Sequence, residues 1–250
     1  MSRIFLIALL VGAAVTPGFR QTAAAQSTPD AAPSGREIVK QMHARYAGHW
    51  YRSFAFNQTT EMYRNDSLRK TQTWYEFIRL PDRFRMDFGN ADSGNAAIFR
   101  GDSCYRFRNG RLSSATINNN EGLIFLLGGM FFYPLEQDYT ILDSLRYDLS
   151  SSRVDHWEGR PVFVIGRDGA NQLWIDKQHL YLVRMLRIDG PQTLDARFED
   201  YKPFAGGWSE TKCRFYLDGK LIQVETYHNC KADTTLDDRL FDPSILTPSH

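Results

Sequence analysis

Three cysteines in 250 residues, Cys104, Cys213 and Cys230, lie far apart and none sits in a CxxC pair. That excludes a disulfide framework, a cysteine zinc site and thioredoxin-like chemistry, and leaves at least one thiol unpaired. The six histidines, at 43, 49, 156, 179, 228 and 250, show no metal-ligand spacing such as H-E-x-x-H. There is no G-x-S-x-G elbow, no P-loop and no G-x-G-x-x-G. Charge of one sign is also missing: 30 Lys and Arg balance 29 Asp and Glu. A chain so balanced has no bulk attraction for nucleic acid or an anionic membrane surface. After residue 26 no apolar run is long enough to span a bilayer, which takes about 20 residues.

The amino terminus reads as a secretory signal. Arg3 precedes an apolar run at residues 4–15, Thr16-Pro17-Gly18 ends it, and Ala23-Ala24-Ala25 offers a cleavage site. No cysteine lies near that site, so no lipid anchor is expected. Cleavage after residue 26 removes Arg3 and Arg20 and no acid, taking the net charge from +1 to about −1. Residues 27–35 read as a disordered leader, and residues 36–250 as one exported, periplasmic domain.

Ser34-Gly35-Arg36-Glu37 is a capping box ahead of Ile38, Val39, Met42 and Tyr46, and predicts an amphipathic helix over 35–47. Beyond it the apolar period becomes two. Phe54 and Phe56 mark one strand; Phe84, Met86 and Phe88 alternate with Arg83, Arg85 and Asp87 in another. Leu182, Leu186 and Ile188 are expected on one face of a later strand, as are Leu194, Ala196 and Phe198. Asn109-Gly110 and Asp218-Gly219 are two-residue hairpin turns. The second predicts the pairs Leu217 with Lys220, Phe215 with Ile222 and Cys213 with Val224, which leaves Cys213 a buried small hydrophobe far from Cys230. About ten short strands in local hairpins make a curled antiparallel sheet, and a second helical segment is expected between Glu121 and Leu145. So few helices leave room on the apolar face for a ligand.

Residues 123–133 are the most apolar stretch after the amino terminus and lack an amphipathic period. They are either a movable lid with Gly128 and Gly129 as flex points, or a buried plug. Arg79 and Arg83 either ring the cavity mouth or belong to a solvated face. Arg106 and Arg108 interleave with Tyr105 and Phe107, but the charge balance and the signal argue against nucleic acid. Glu61 and Glu76 could meet across a hairpin, though a solvated outer face suits them better.

The order of several motifs resembles the LolA/LolB superfamily of envelope lipoprotein carriers, including LolA-like outer-membrane lipoprotein-sorting proteins. The similar segments are Trp74-Tyr75-Glu76-Phe77-Ile78-Arg79-Leu80-Pro81-Asp82-Arg83-Phe84-Arg85, Arg100-Gly101-Asp102-Ser103-Cys104-Tyr105-Arg106-Phe107 and Gln172-Leu173-Trp174-Ile175-Asp176-Lys177 leading to Leu182-Val183-Arg184. Phe198-Glu199-Asp200-Tyr201 and Asp238-Arg239-Leu240-Phe241-Asp242-Pro243 complete the series. The resemblance implies a mainly β fold: an unclosed antiparallel half-barrel of about eleven strands around an N-terminal helix and a lid. It implies a cavity for lipid or lipoprotein acyl chains, and transport partners in the inner or outer membrane. Phe84 looks like a cavity phenylalanine near the lid. Where the carriers place a latch arginine before the proline, this chain has Leu80, and Arg79 or Arg83 would stand in.

The expected cavity residues are Phe54, Phe56, Phe84, Met86, Phe88 and Phe107, with Leu123, Phe125, Phe131 and Phe132 on the lid. No cofactor, metal or catalysis is expected. A periplasmic sensor or scaffold domain is the alternative, and an envelope lipid- or glycan-modifying enzyme a third. The enzyme would need a polar cluster in the cavity, for instance His43, His49 or His156 with an acid.

Overall fold

The structure, a computed structural model, describes residues 32–117 and 122–246; the expected signal peptide lies outside the described residues. The chain opens with α1 (Gly35–Tyr46), whose buried stripe of Ile38, Val39, Met42 and Tyr46 has the anticipated helical spacing. Half of the capping box forms: the Glu37 amide donates to Ser34 Oγ at 3.2 Å. The Glu37 carboxylate turns away, toward Lys40 and Gln41.

Six strands follow: β1 (Ser53–Arg64), β2 (Ser67–Arg79), β3 (Arg83–Phe88), β4 (Ala96–Arg100), β5 (Ser103–Arg108) and β6 (Arg111–Ile117). After α2 (Leu123–Leu126) and α3 (Leu135–Ser144) come β7 (Ser152–Trp157), β8 (Arg160–Ile165), β9 (Gln172–Asp176), β10 (Leu182–Asp189) and β11 (Gln192–Glu199). A two-stranded ribbon, β12 (Lys202–Phe204) and β13 (Gly207–Ser209), precedes β14 (Lys212–Leu217) and β15 (Lys220–Ala232). Thirteen of these strands form one unclosed antiparallel sheet, ordered β6-β5-β4-β3-β2-β1-β15-β14-β11-β10-β9-β8-β7. It comprises two meanders joined where β1 meets β15, and the expected mainly β half-barrel is what the chain adopts. The strand count exceeds the expected eleven partly because both edges are easily overlooked. β6 is exposed along its whole length and β7 has no buried residue, so neither carries a strong apolar alternation.

On the inner face, α1 and residues 122–149 pack over the β8–β11 side. Ile38, Val39 and Met42 join Leu126, Met130 and Leu142 against Ile165, Leu173, Ile175 and Met185. Burying each such side chain is worth about 1.5–3 kcal/mol, so this half of the concavity is a true core. The opposite half, under β1–β3, is less completely filled.

Three irregularities decide which residues face inward. At the Asp218-Gly219 hairpin Leu217 pairs with Lys220 as expected, but a bulge then sets Phe215 opposite Gln223 and Cys213 opposite Glu225, not Ile222 and Val224. On β10 a shift between Leu182 and Arg184 turns Leu182 and Met185 inward, rather than Leu182, Leu186 and Ile188. A third shift, between Ala55 and Asn57, interrupts the β1–β15 ladder. An extra residue reverses every later side chain between faces. Among the described residues no helix is long and apolar enough to cross a membrane.

Candidate functional site: a cavity with an apolar wall and an acidic wall

The inner face holds a cavity of about 240 Å³. Phe54 and Phe56 from β1, Trp74 and Ile78 from β2, Phe84 and Met86 from β3, and Leu80 form its apolar wall, closed above by Leu123, Ile124 and Leu127. Alternation along paired strands assembles this wall: Phe54 lies opposite Ile78, and Ile78 opposite Phe84. A neighbouring hollow of about 450 Å³ shares Phe84, Leu123 and Ile124 with it and continues to Phe125 and Tyr133. Those three shared residues are therefore the partition between the two spaces.

Five of the expected residues, Phe54, Phe56, Phe84, Met86 and Leu123, meet around the inner cavity. Phe125 faces the outer hollow. Phe88 lies on the same sheet face beyond the cavity, its ring edge-on to Trp74 at 4.8 Å. Phe131 is core, packed on Trp50 and Tyr46, and Phe132 is a partly buried neighbour of that core. Phe107 does not line the cavity. It pairs with Ala96, two residues from Ile98 and on the face opposite Phe99, so it packs under Leu246 on the outer side.

Arg79 and Arg83 also point away from the cavity. Both approach Asp238, and Arg79 further donates to the Leu236 carbonyl and lies 5.2 Å from the Phe241 ring centre. They hold the carboxy-terminal turn Asp238–Phe241 and cannot replace the latch arginine. The same turn covers Arg85, which is 2% exposed, chelates the Asp87 carboxylate and donates to the Leu240 carbonyl. This face is thus occupied by the chain's own terminus rather than solvated.

Gly128 and Gly129 serve close packing. A Cβ on Gly128 would stand 2.4 Å from Trp50 Nε1, at φ +140°, and one on Gly129 would stand 2.9 Å from the Pro81 carbonyl oxygen.

The remaining wall is acidic. Glu76, Glu210 and Glu225 line the cavity with Gln223, Tyr227 and Ser209, and the three carboxyl residues are only 5%, 5% and 8% exposed. Glu76 arrives because it pairs with Phe56; Glu61 pairs with Thr71 and falls on the other face, so the two never meet. Glu225 arrives because of the bulge. Its carboxylate accepts from Gln223 Nε2 at 2.6 Å and from the Tyr227 hydroxyl at 3.3 Å. Cys213 Sγ lies 3.3 Å from the same hydroxyl. Among the described residues no arginine, lysine or histidine lines the cavity.

Burial disfavours each charged carboxylate. It pushes Glu76 well above the usual range, assisted by the negative charges of Glu225 and Glu210. Glu210 is raised to about 8, chiefly by burial. Burial also raises Glu225, against hydrogen bonds from Gln223, Gln58 and Tyr227. Chemically, the wall can donate hydrogen bonds while protonated and provide negative charge once a cation enters. The usual preference of an acid for a solvated face places Glu76 outward, and an unbulged hairpin puts Glu225 out of register. The signal that would have found them is an acid interrupting an apolar face, as Glu76 does between Trp74 and Ile78.

His43 meets an acid, though not in the cavity. Its Nε2 lies 2.9 Å from the Tyr133 carbonyl oxygen and 3.8 Å from Asp138, joining α1 to α3. Neither residue lines the cavity.

An unclosed antiparallel half-barrel, plugged on one side and hollow on the other, defines the structural class. The chain matches solved structures of that class. A DUF1329 family protein from Desulfovibrio piger matches at TM-score 0.58 and 15% identity, over 85% of this chain and 98% of that one. A LolA superfamily protein from Nitrosomonas europaea matches at TM-score 0.53 and 12% identity, over 84% and 98%. A Vibrio parahaemolyticus domain named for outer membrane lipoprotein sorting matches at TM-score 0.54 and 17% identity, over 85% and 97%. The LolA-type fold expected from the motifs is therefore the fold of this chain. No protein-family model matches the sequence, and no curated protein does.

Proposed function

We propose that the protein is a periplasmic carrier that shelters the apolar part of a lipid, or of a lipoprotein's acyl chains, in the inner cavity. The observation that carries this reading is the unfilled space under Phe54, Phe56, Phe84 and Met86, roofed by Leu123, Ile124 and Leu127. The fold shared with a LolA superfamily protein and a lipoprotein-sorting domain supports it. Removing apolar surface from water contributes about 25 cal/mol per Å², or about 0.8 kcal/mol per methylene, so an eight-carbon chain contributes about 6 kcal/mol toward retention before the cost of association. A space of about 240 Å³ admits a short alkyl segment. Longer chains would continue past Phe84 into the outer hollow. Cargo would be received from and passed to partners in the inner or outer membrane, and residues 1–26 would direct export.

Native mass spectrometry of protein purified from two expression hosts, paired with solvent extraction, tests this. Bound lipid is expected in the wild type and absent in Phe84→Glu. Ligand-free wild type from both hosts, with no uptake of added alkyl compounds, would refute it.

A further inference from the structure

We infer that the inner cavity selects an amphiphile bearing an ammonium group, its chain lying toward Phe84, Leu123 and Ile124 and its cation seated among Glu76, Glu210 and Glu225. This rests on the carrier reading and narrows its ligand class. The cavity has two chemically distinct ends, and an unbranched alkyl chain would satisfy only one. A purely apolar cargo would leave three carboxyls at its flank, and burying polar groups without partners is costly.

Two side chains of the wall carry a polar group with no hydrogen-bond partner among the described residues. The Glu76 carboxyl, on a residue 5% exposed, receives no hydrogen bond. Trp74 Nε1 is buried without an acceptor. An ammonium ion would answer the first directly. Its charge would also find the ring faces of Phe56, which stacks on Tyr227 at 4.2 Å, and of Trp74. An anionic headgroup would meet three carboxyls and no cation. Nor does a metal fit: among the described residues no three acidic, histidine or cysteine side chains are grouped to hold one.

The titratable groups facing the acids are Tyr51 before β1, Tyr201 before β12, Cys213 on β14 and Tyr227 on β15. All are pushed up by burial and stay neutral. The acids are likewise raised by burial, so an entering ammonium displaces a proton from a carboxyl.

Isothermal titration calorimetry of the purified protein at pH 7 with octylamine, octan-1-ol and octanoate tests the inference. Octylamine should bind at least tenfold more tightly than octan-1-ol, and octanoate more weakly than either. Titration in buffers of different ionisation enthalpy should count about one proton released per octylamine and none per alcohol. In a Glu76→Gln, Glu225→Gln variant the two should become equal, with octan-1-ol affinity retained. Should that variant not fold, the wild-type series and the proton count decide alone. Equal affinity for alcohol and amine, or no proton release, overturns the inference and leaves the carrier reading standing. Binding of none of the three overturns both.

Discussion

Phe215 pairs with Gln223, one residue beyond the partner that a plain two-residue hairpin at Asp218-Gly219 would give it. That single displacement exchanges Ile222 and Val224 for Gln223 and Glu225 on the inner face, and so creates one side of the acidic wall. Deleting Ile222, the extra residue, should restore the uninterrupted ladder and leave Gln223 and Glu225 on the inner face, opposite Phe215 and Cys213. Glu225→Gln, which removes the buried acid without moving the ladder, should show a smaller fall in stability between pH 5 and 8 than the wild type, measured by urea denaturation.

The sign of that pH dependence follows from Glu210. Its carboxyl is raised to about 8 in the folded chain against about 4.5 unfolded. Stability from this group is complete below about 4.5 and is lost as pH rises toward about 8, because the unfolded chain ionises first. Across that window each step of one in pH removes at most about 1.4 kcal/mol. The melting temperature should therefore be higher at pH 5 than at pH 8. Glu210→Gln should flatten the curve, as measured by circular dichroism; a melting temperature that rises with pH in the wild type and not in Glu210→Gln would contradict this.

Asp138 behaves similarly, again through burial. It is fully buried, neither carboxylate oxygen has a hydrogen-bond partner among the described residues, and burial raises it to about 8. Asp138→Asn should stabilise the protein at pH 8 by about 1–2 kcal/mol and change little at pH 4, read by urea denaturation at both values.

The fold is more legible in the sequence than the site. Amphipathic α1, the period-two strands and the hairpin turns are local signals, and Ser34, Phe84-Met86-Phe88 and Asp218-Gly219 carry them. The bulges at β10 and β15 are set by pairing between strands, which composition does not record. Phe107 falls on the wrong side of the sheet in a sequence reading because alternation reveals that a strand has two faces, not which of them looks inward. Arg79, Arg83 and Arg85 read as a solvated face because the segment that covers them lies more than 150 residues further along the chain.

Gly128 should resist substitution. With φ at +140° and a Cβ only 2.4 Å from Trp50 Nε1, Gly128→Ala should cost about 3 kcal/mol. Gly159→Ala, at φ +77° with nothing within 4 Å, should cost about 1 kcal/mol. Equal costs in guanidinium denaturation would show that the 123–133 segment is not clamped against Trp50.

The buried pair on the outer face makes a further prediction. Arg85→Ala leaves Asp87, itself 3% exposed, without its guanidinium, and should cost about 3–5 kcal/mol. The paired Arg85→Met, Asp87→Leu replacement should recover most of that loss. A single variant as stable as wild type, measured by thermal melting, would refute this.

The most direct measurement is crystallographic: the protein soaked with 1-bromooctane, the bromine located by its anomalous scattering. The account predicts a peak enclosed by Phe54, Phe56, Phe84 and Leu127. Bromine found only on the outer surface, with side chains filling the space beneath Phe84, would contradict it.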